Sequence, residues 1–202
     1  MPQNPLGVGY AKGPGGLAAF VGGKQGDLLS SAFHGSKYHQ AYTGALFLGA
    51  NPSGVTTSAG LATTCVGLIL SNPAGNANNL VLRRVAAAFI VAPATVTGLN
   101  LITGYSAAGI VTHTTALTPF SAMIGTGPAA TAKLDSAATL VGTPVYTMVL
   151  GETPTATTLP SFSVDMEGGI VLPPGAYAAI GTTIAGPSSG FMGSFEWEEV
   201  VA

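Results

Sequence analysis

Gly186-Pro187-Ser188-Ser189-Gly190 has the spacing of a nucleophile elbow, in which a strained strand-to-helix turn exposes a serine hydroxyl to its substrate. That chemistry needs a helix behind the serine and a histidine later in the chain. His34, His39 and His113 all precede it and no helical pattern follows, so the segment reads as a plain turn. Asp165 and Glu167 fall on one face of a strand pattern, as do Glu196 and Glu198, and either pair could supply the acid and base of glycoside cleavage. Such alternation more commonly marks the solvated face of an edge strand. An aromatic content of 7% with one Trp also leaves little for a sugar-stacking groove.

His34 and His39 are five residues apart, on opposite faces of a strand, with no Cys or carboxylate at a ligand spacing. Asp27 and His113 could join them only through folding, so these histidines read as polar surface or interface residues. Gly125-Thr126-Gly127 followed by Ala130 is a loosened dinucleotide fingerprint, but Pro128 interrupts it and no alternating βα pattern surrounds it. A loop between strands is the better reading. Cys65, the single cysteine, lies in the apolar run CVGLIL and reads as a small core residue. Arg83 and Arg84 are the only adjacent cations. On a regular strand they face opposite ways, one to solvent and the other to a carboxylate across a sheet or subunit boundary. No catalytic residue, cofactor or metal ligand set emerges, and the chain is read as non-enzymatic.

The elements that carry these residues are short. Twenty-nine glycines and 14 prolines leave few windows for a helix of three turns, and between them sit runs of Val, Ile, Leu, Phe, Tyr and Thr. DLLSSAF, SKYHQAYTGALFLGA, TCVGLIL, NLVLRRVAAAFIVA, GLNLITGY, GIVTH, PFSAMIG, PVYTMVLG and SFSVDM read as strands, and GGIVLPPGAYAAIG as two strands about a Pro-Pro-Gly corner. In the fourth, Leu80, Leu82 and Arg84 are expected on one face, and Val81, Arg83 and Val85 on the other. AATAKLDSAATLV is the one stretch with helical character. In the closing GFMGSFEWEEVV, Phe195 and Trp197 point one way and Glu196 and Glu198 the other, which predicts that Trp197 is buried in a core or a tight subunit seam. The expected fold is all-β: a jelly-roll-like β-sandwich over residues 27–202, preceded by an extended Gly/Pro-rich arm over residues 1–26.

Charged residues make up 7% of the 202 positions and the net charge is -2. Ordinary soluble domains carry roughly a quarter charged residues. A surface this poor in charge is expected to be partly covered by other chains, as a homo-oligomer. Six basic residues against eight acidic ones give no field for nucleic acid, and no apolar run reaches the length of a spanning helix, so neither partner is expected. The start of the chain does not read as a secretion signal. In the arm, Leu6, Val8, Tyr10, Leu17, Phe20 and Val21 are too dispersed for a core and too apolar for permanent solvation. Leu6, Val8, Tyr10 and Phe20, with Arg83, Arg84 and Trp197, are therefore the expected interface residues.

GKQGDLL, KYHQAYTGALF, LSNPAGNANNLVLRRV and the closing IVLPPGAYAAIG and FEWEEV together resemble a group of tailed-bacteriophage and prophage structural proteins. The resemblance covers about two thirds of the chain. It implies a virion component on the capsid surface, assembled in the host cytoplasm: a capsid decoration (cement) protein, trimeric, bound to the major capsid protein of the same particle. A receptor-binding fibre or spike is the alternative. Such a fibre would carry shaft repeats or a coiled coil before its head, and the sequence has neither. The long Gly/Pro arm and the crowding of Arg83 and Arg84 depart from the group's pattern.

Overall fold

The computed structural model describes residues 8–13, 16–21, 37–108, 111–153 and 159–202. The chain divides into two compact units, Met1–Tyr38 and His39–Ala202. In the first, β1 (Val8–Gly13) and β2 (Gly16–Val21) pair antiparallel, from Val8 opposite Val21 to Gly13 opposite Gly16. The strand expected at DLLSSAF lies outside the described residues.

After the one-turn helix α1 (Tyr38–Tyr42) come β3 (Leu46–Ala50), β4 (Thr64–Ser71), β5 (Asn78–Phe89), β6 (Thr97–Tyr105), β7 (Thr112–Leu117) and β8 (Phe120–Ser121). The chain continues through β9 (Lys133–Thr139), β10 (Val145–Thr153), β11 (Ser161–Leu172), β12 (Ala176–Thr182) and β13 (Phe191–Val201). Two antiparallel sheets result, ordered β11-β5-β13-β3-β8 and β10-β6-β12-β4-β9-β7. Successive strands alternate between the sheets from β3 to β6 and again from β10 to β13. That alternation, with β13 inserted between β3 and β5 and β12 between β4 and β6, is the double Greek key of a jelly roll. The insertion β7–β9 widens both sheets on one side: β8 pairs with β3, β9 with β4 and β7 with β9.

Alternating burial builds the core. Phe191, Phe195 and Trp197 of β13 face Leu80, Leu82, Val85 and Phe89 of β5 within one sheet, and Leu68, Leu70, Leu99, Leu101 and Ile180 of the other. Trp197 is fully buried, as its alternation with Glu196 and Glu198 predicts, and stacks on Phe47 at 6.0 Å between ring centroids. A second, smaller core lies on the outer side of the six-stranded sheet, where Cys65, Ile69, Ile102, Val111, Leu140, Tyr177 and Ala179 cluster. The Pro-Pro-Gly corner forms as expected. Ala176 N–H donates to Pro173 C=O at 2.9 Å across Gly175, whose φ of +92° suits the third position of a type II turn.

Three expectations need correction. Residues 38–42 form a helical turn rather than a strand; none is buried, so no core face demands extended alternation there, and Thr43 N–H closes the turn onto His39 C=O at 2.9 Å. AATAKLDSAATLV is not helical: residues 133–139 are β9, hydrogen-bonded on both sides, and its ladders override the weak local preference. Arg83 and Arg84 do not face opposite ways. Leu82 pairs with Trp197 and Arg84 with Glu196, which leaves Arg83 as the extra residue of a β-bulge. Leu82 and Val85 therefore share the core side, and both arginines point outward.

Candidate interaction surfaces

The bulge in β5 organises the outer face of the five-stranded sheet. Asp165 of β11, Arg84 of β5, Glu196 of β13, Leu48 of β3 and Phe120 of β8 lie opposite one another in register, forming one row across all five strands. Beside it the next row is Ser163, Ala86, Ser194 and Ala50, followed by Ser161, Ala88 and Met192. The small side chains leave a trough against the first row. Its two adjoining grooves have volumes of ≈ 510 and ≈ 470 Å³ and share Ala50, Arg84, Ala86 and Ser194. Arg84 Nε donates to Ser163 Oγ at 2.8 Å, which draws the guanidinium from its own row toward the second row on β11. Arg83 stands 3.9 Å from the Glu198 carboxylate on the same face.

The remaining chemically suggestive residues take structural places. Asp165 and Glu167 flank a β11 irregularity in which Glu167 has a φ of +48° and its N–H donates to Asp165 Oδ1 at 3.1 Å. Glu199, which the strand alternation places on the same face as Phe195 and Trp197, accepts from the N–H of Thr131 at 2.9 Å, the N–H of Ala132 at 3.0 Å and Trp197 Nε1–H at 3.3 Å. It ties the segment before β9 to the end of β13. In the GPSSG segment, Gly190 N–H donates to Pro187 C=O at 3.1 Å, a turn as expected. The Gly125–Gly127 segment is likewise a loop between β8 and β9. His34 lies outside the described residues, and His39 sits in α1.

His113 meets a carboxylate that the sequence did not pair with it: its Nδ1 lies 2.6 Å from Oδ2 of Asp135, whose side chain is fully buried. Burial pushes Asp135 above the usual carboxylate range, against the hydrogen bond and charge of His113 and the charge of Lys133. The pair borders the outer core. There burial raises the Cys65 thiol to about 11, and burial together with the neighbouring Cys65 raises the Tyr177 phenol to about 12. Tyr177 lies across Gly104, where a Cβ would sit 2.2 Å from its hydroxyl oxygen.

Large apolar side chains are exposed at both sides of the sandwich. At the β10/β11 side stand Tyr105, Val145, Tyr146, Met148, Val149 and Val171, with Val149 73% exposed. There the mouth between the sheets is an apolar cleft of ≈ 410 Å³, lined by Val145, Ile170, Leu172 and Pro173 among others and by no charged residue. At the opposite side, Phe120, Met123 and Ile124 are exposed around β8. Single exposed apolar residues are ordinary, whereas contiguous patches mark contact surfaces.

Of the residues expected at interfaces, Arg83 and Arg84 lie on the outer sheet face, and Trp197 lies in the chain's own core. Val8, Tyr10 and Phe20 fall in the β1–β2 hairpin, and Leu6 lies outside the described residues. Among the described residues no helix is long and apolar enough to cross a membrane. Comparison with known proteins returns no matching family model, no similar curated protein and no similar solved structure.

Proposed function

We propose that this chain is a non-enzymatic structural protein of a tailed-phage virion: a cement protein that self-associates, as a trimer, and stabilises the head shell by binding the major capsid protein at the capsid surface. The observation that carries this reading is the apolar surface at the β10/β11 side, whose cleft is lined by no charged residue, on a chain with 7% charged residues. Such a surface loses free energy when covered, at about 25 cal/mol per Å² of apolar area removed from water. The patch around β8 lies at the other edge of the same sandwich. Two unlike apolar patches at opposite edges suit a head-to-tail contact that closes into a ring, which a trimer satisfies. Jelly rolls serve in capsid and lectin domains alike, so the fold supports the reading by analogy only.

Cryo-electron microscopy of purified particles tests it. The expected result is density for the sandwich over junctions between capsomers, in copies that follow the head symmetry. Density at the tail tip would replace the cement role by a fibre role. Particles that lack the chain altogether would refute both.

A further inference from the structure

The trough on the outer face of the five-stranded sheet is a different surface from the apolar sides, and its chemistry narrows what it can hold. Arg83 and Arg84 stand beside Asp165, Glu196 and Glu198, so the face offers no positive field to phosphate or nucleic acid. An extended peptide gains affinity by pairing with an open sheet edge. Here β5, β13 and β3 are interior strands, paired on both sides, so only side chains can address a ligand. A second copy of the chain would bury the charged row in the middle of the contact, where charge is depleted in protein interfaces. The β10/β11 side, whose cleft is lined by no charged residue, suits that partner better.

A neutral, hydroxyl-rich ligand fits. A hydroxyl both donates and accepts, and the row presents acceptor, donor and acceptor in Asp165, Arg84 and Glu196. A carboxylate has about four acceptor positions, so Asp165, whose Oδ1 already accepts from the Glu167 N–H at 3.1 Å, and Glu196, one of whose oxygens is buried, can each accept from a ligand in addition to the neighbours they have. Phe120, 61% exposed, and Leu48 continue the row as an apolar surface for the C–H face of a sugar ring. The alanine and serine floor lets a ring lie close to the backbone. With strands about 4.8 Å apart, the five-strand row spans roughly 19 Å. Its grooves of ≈ 510 and ≈ 470 Å³ also fall within the size of small-molecule sites, about 300–1,000 Å³. We propose that this trough binds a neutral oligosaccharide, with Asp165, Arg84 and Glu196 bonding hydroxyls and Phe120 and Leu48 packing against a ring face.

Saturation-transfer NMR and titration calorimetry of the full chain test this, with maltohexaose, cellohexaose, mannohexaose, chitohexaose, galactose oligomers and rhamnose oligomers as probes. At least one should bind. Arg84→Ala and Phe120→Ala should each weaken that binding at least about tenfold, and Ala86→Arg, which fills the floor, should abolish it. Melting and light scattering accompany each variant; should Ala86→Arg melt early, Ala50→Arg at the exposed end of the same row takes its place. Absence of binding by every probe overturns the proposal, and so does binding unchanged in all the variants. Dissociation of a native oligomer by the floor variant would also overturn it, because the face would then be a contact between copies. The free protein is used throughout, so the outcome is independent of where the chain sits on a particle.

Discussion

Among the described residues Trp197 and Tyr177 are the two largest fully buried side chains, and they differ in how well their polar atoms are served. Trp197 stacks on Phe47 and donates its Nε1–H to Glu199 at 3.3 Å. Trp197→Ala should destabilise the protein by about 3–5 kcal/mol, read as a lowered midpoint in urea. Tyr177 Oη finds no hydrogen-bond partner among the described residues, and the phenol is held at about 12, with Cys65 beside it at about 11. Both groups keep their protons in the folded state after the unfolded chain has lost them. Stability should therefore be intact below about pH 8 and fall as pH rises from the ordinary thiol and phenol values toward the folded ones, by a few kcal/mol for the two groups together, since part of the Tyr177 shift is its interaction with Cys65. Urea unfolding at pH 7, 9 and 10.5 would show the slope, and the Cys65→Ala/Tyr177→Phe double variant should flatten it. An unchanged slope would mean that neither group titrates differently on folding. The burial of Trp197 was legible from alternation with charged neighbours. The pairing of His113 with Asp135 was not, because their meeting depends on β7 lying beside β9.

At the scale of elements, turns announced themselves more clearly than strand faces did. The corner between β11 and β12 needs a left-handed residue, and Gly175 supplies it; a Cβ there would lie 2.5 Å from Ser106 C=O. Gly175→Ala should cost about 1–3 kcal/mol from the backbone conformation alone, measured as a loss of melting temperature. A variant that melts with the parent would show that the corner relaxes into another turn. The face assignment of NLVLRRVAAAFIVA held from Leu80 to Leu82 and failed beyond it, because the bulge at Arg83 resets the alternation so that Val85 joins Leu82 in the core. A bulge is written in the pairing of two strands, and strict period-two reading of one of them cannot place it. The Lys133–Thr139 segment shows the same limit. Its mixed sequence takes strand geometry because β4 and β7 both hydrogen-bond it.

For the whole molecule the central prediction concerns association. Val149 is exposed at the β10 side, so Val149→Lys should leave the sandwich folded and shift a native oligomer to monomer in light scattering. A wild-type chain that is already a monodisperse monomer would remove the physical argument for self-association. Composition by itself determined the class: glycine and proline punctuation, short β-prone runs and little charge point to an all-β sandwich or barrel, because these are local properties of the chain. Local sequence also determined that Phe195 and Trp197 turn inward and that Pro173–Gly175 turns the chain. Only the tertiary structure decided that β13 slots between β3 and β5, that the insertion β7–β9 widens both sheets, and that Asp165, Arg84, Glu196, Leu48 and Phe120 form one row. Those residues are far apart in sequence, and what joins them is the cross-strand register set by packing the two sheets together, which no local pattern encodes.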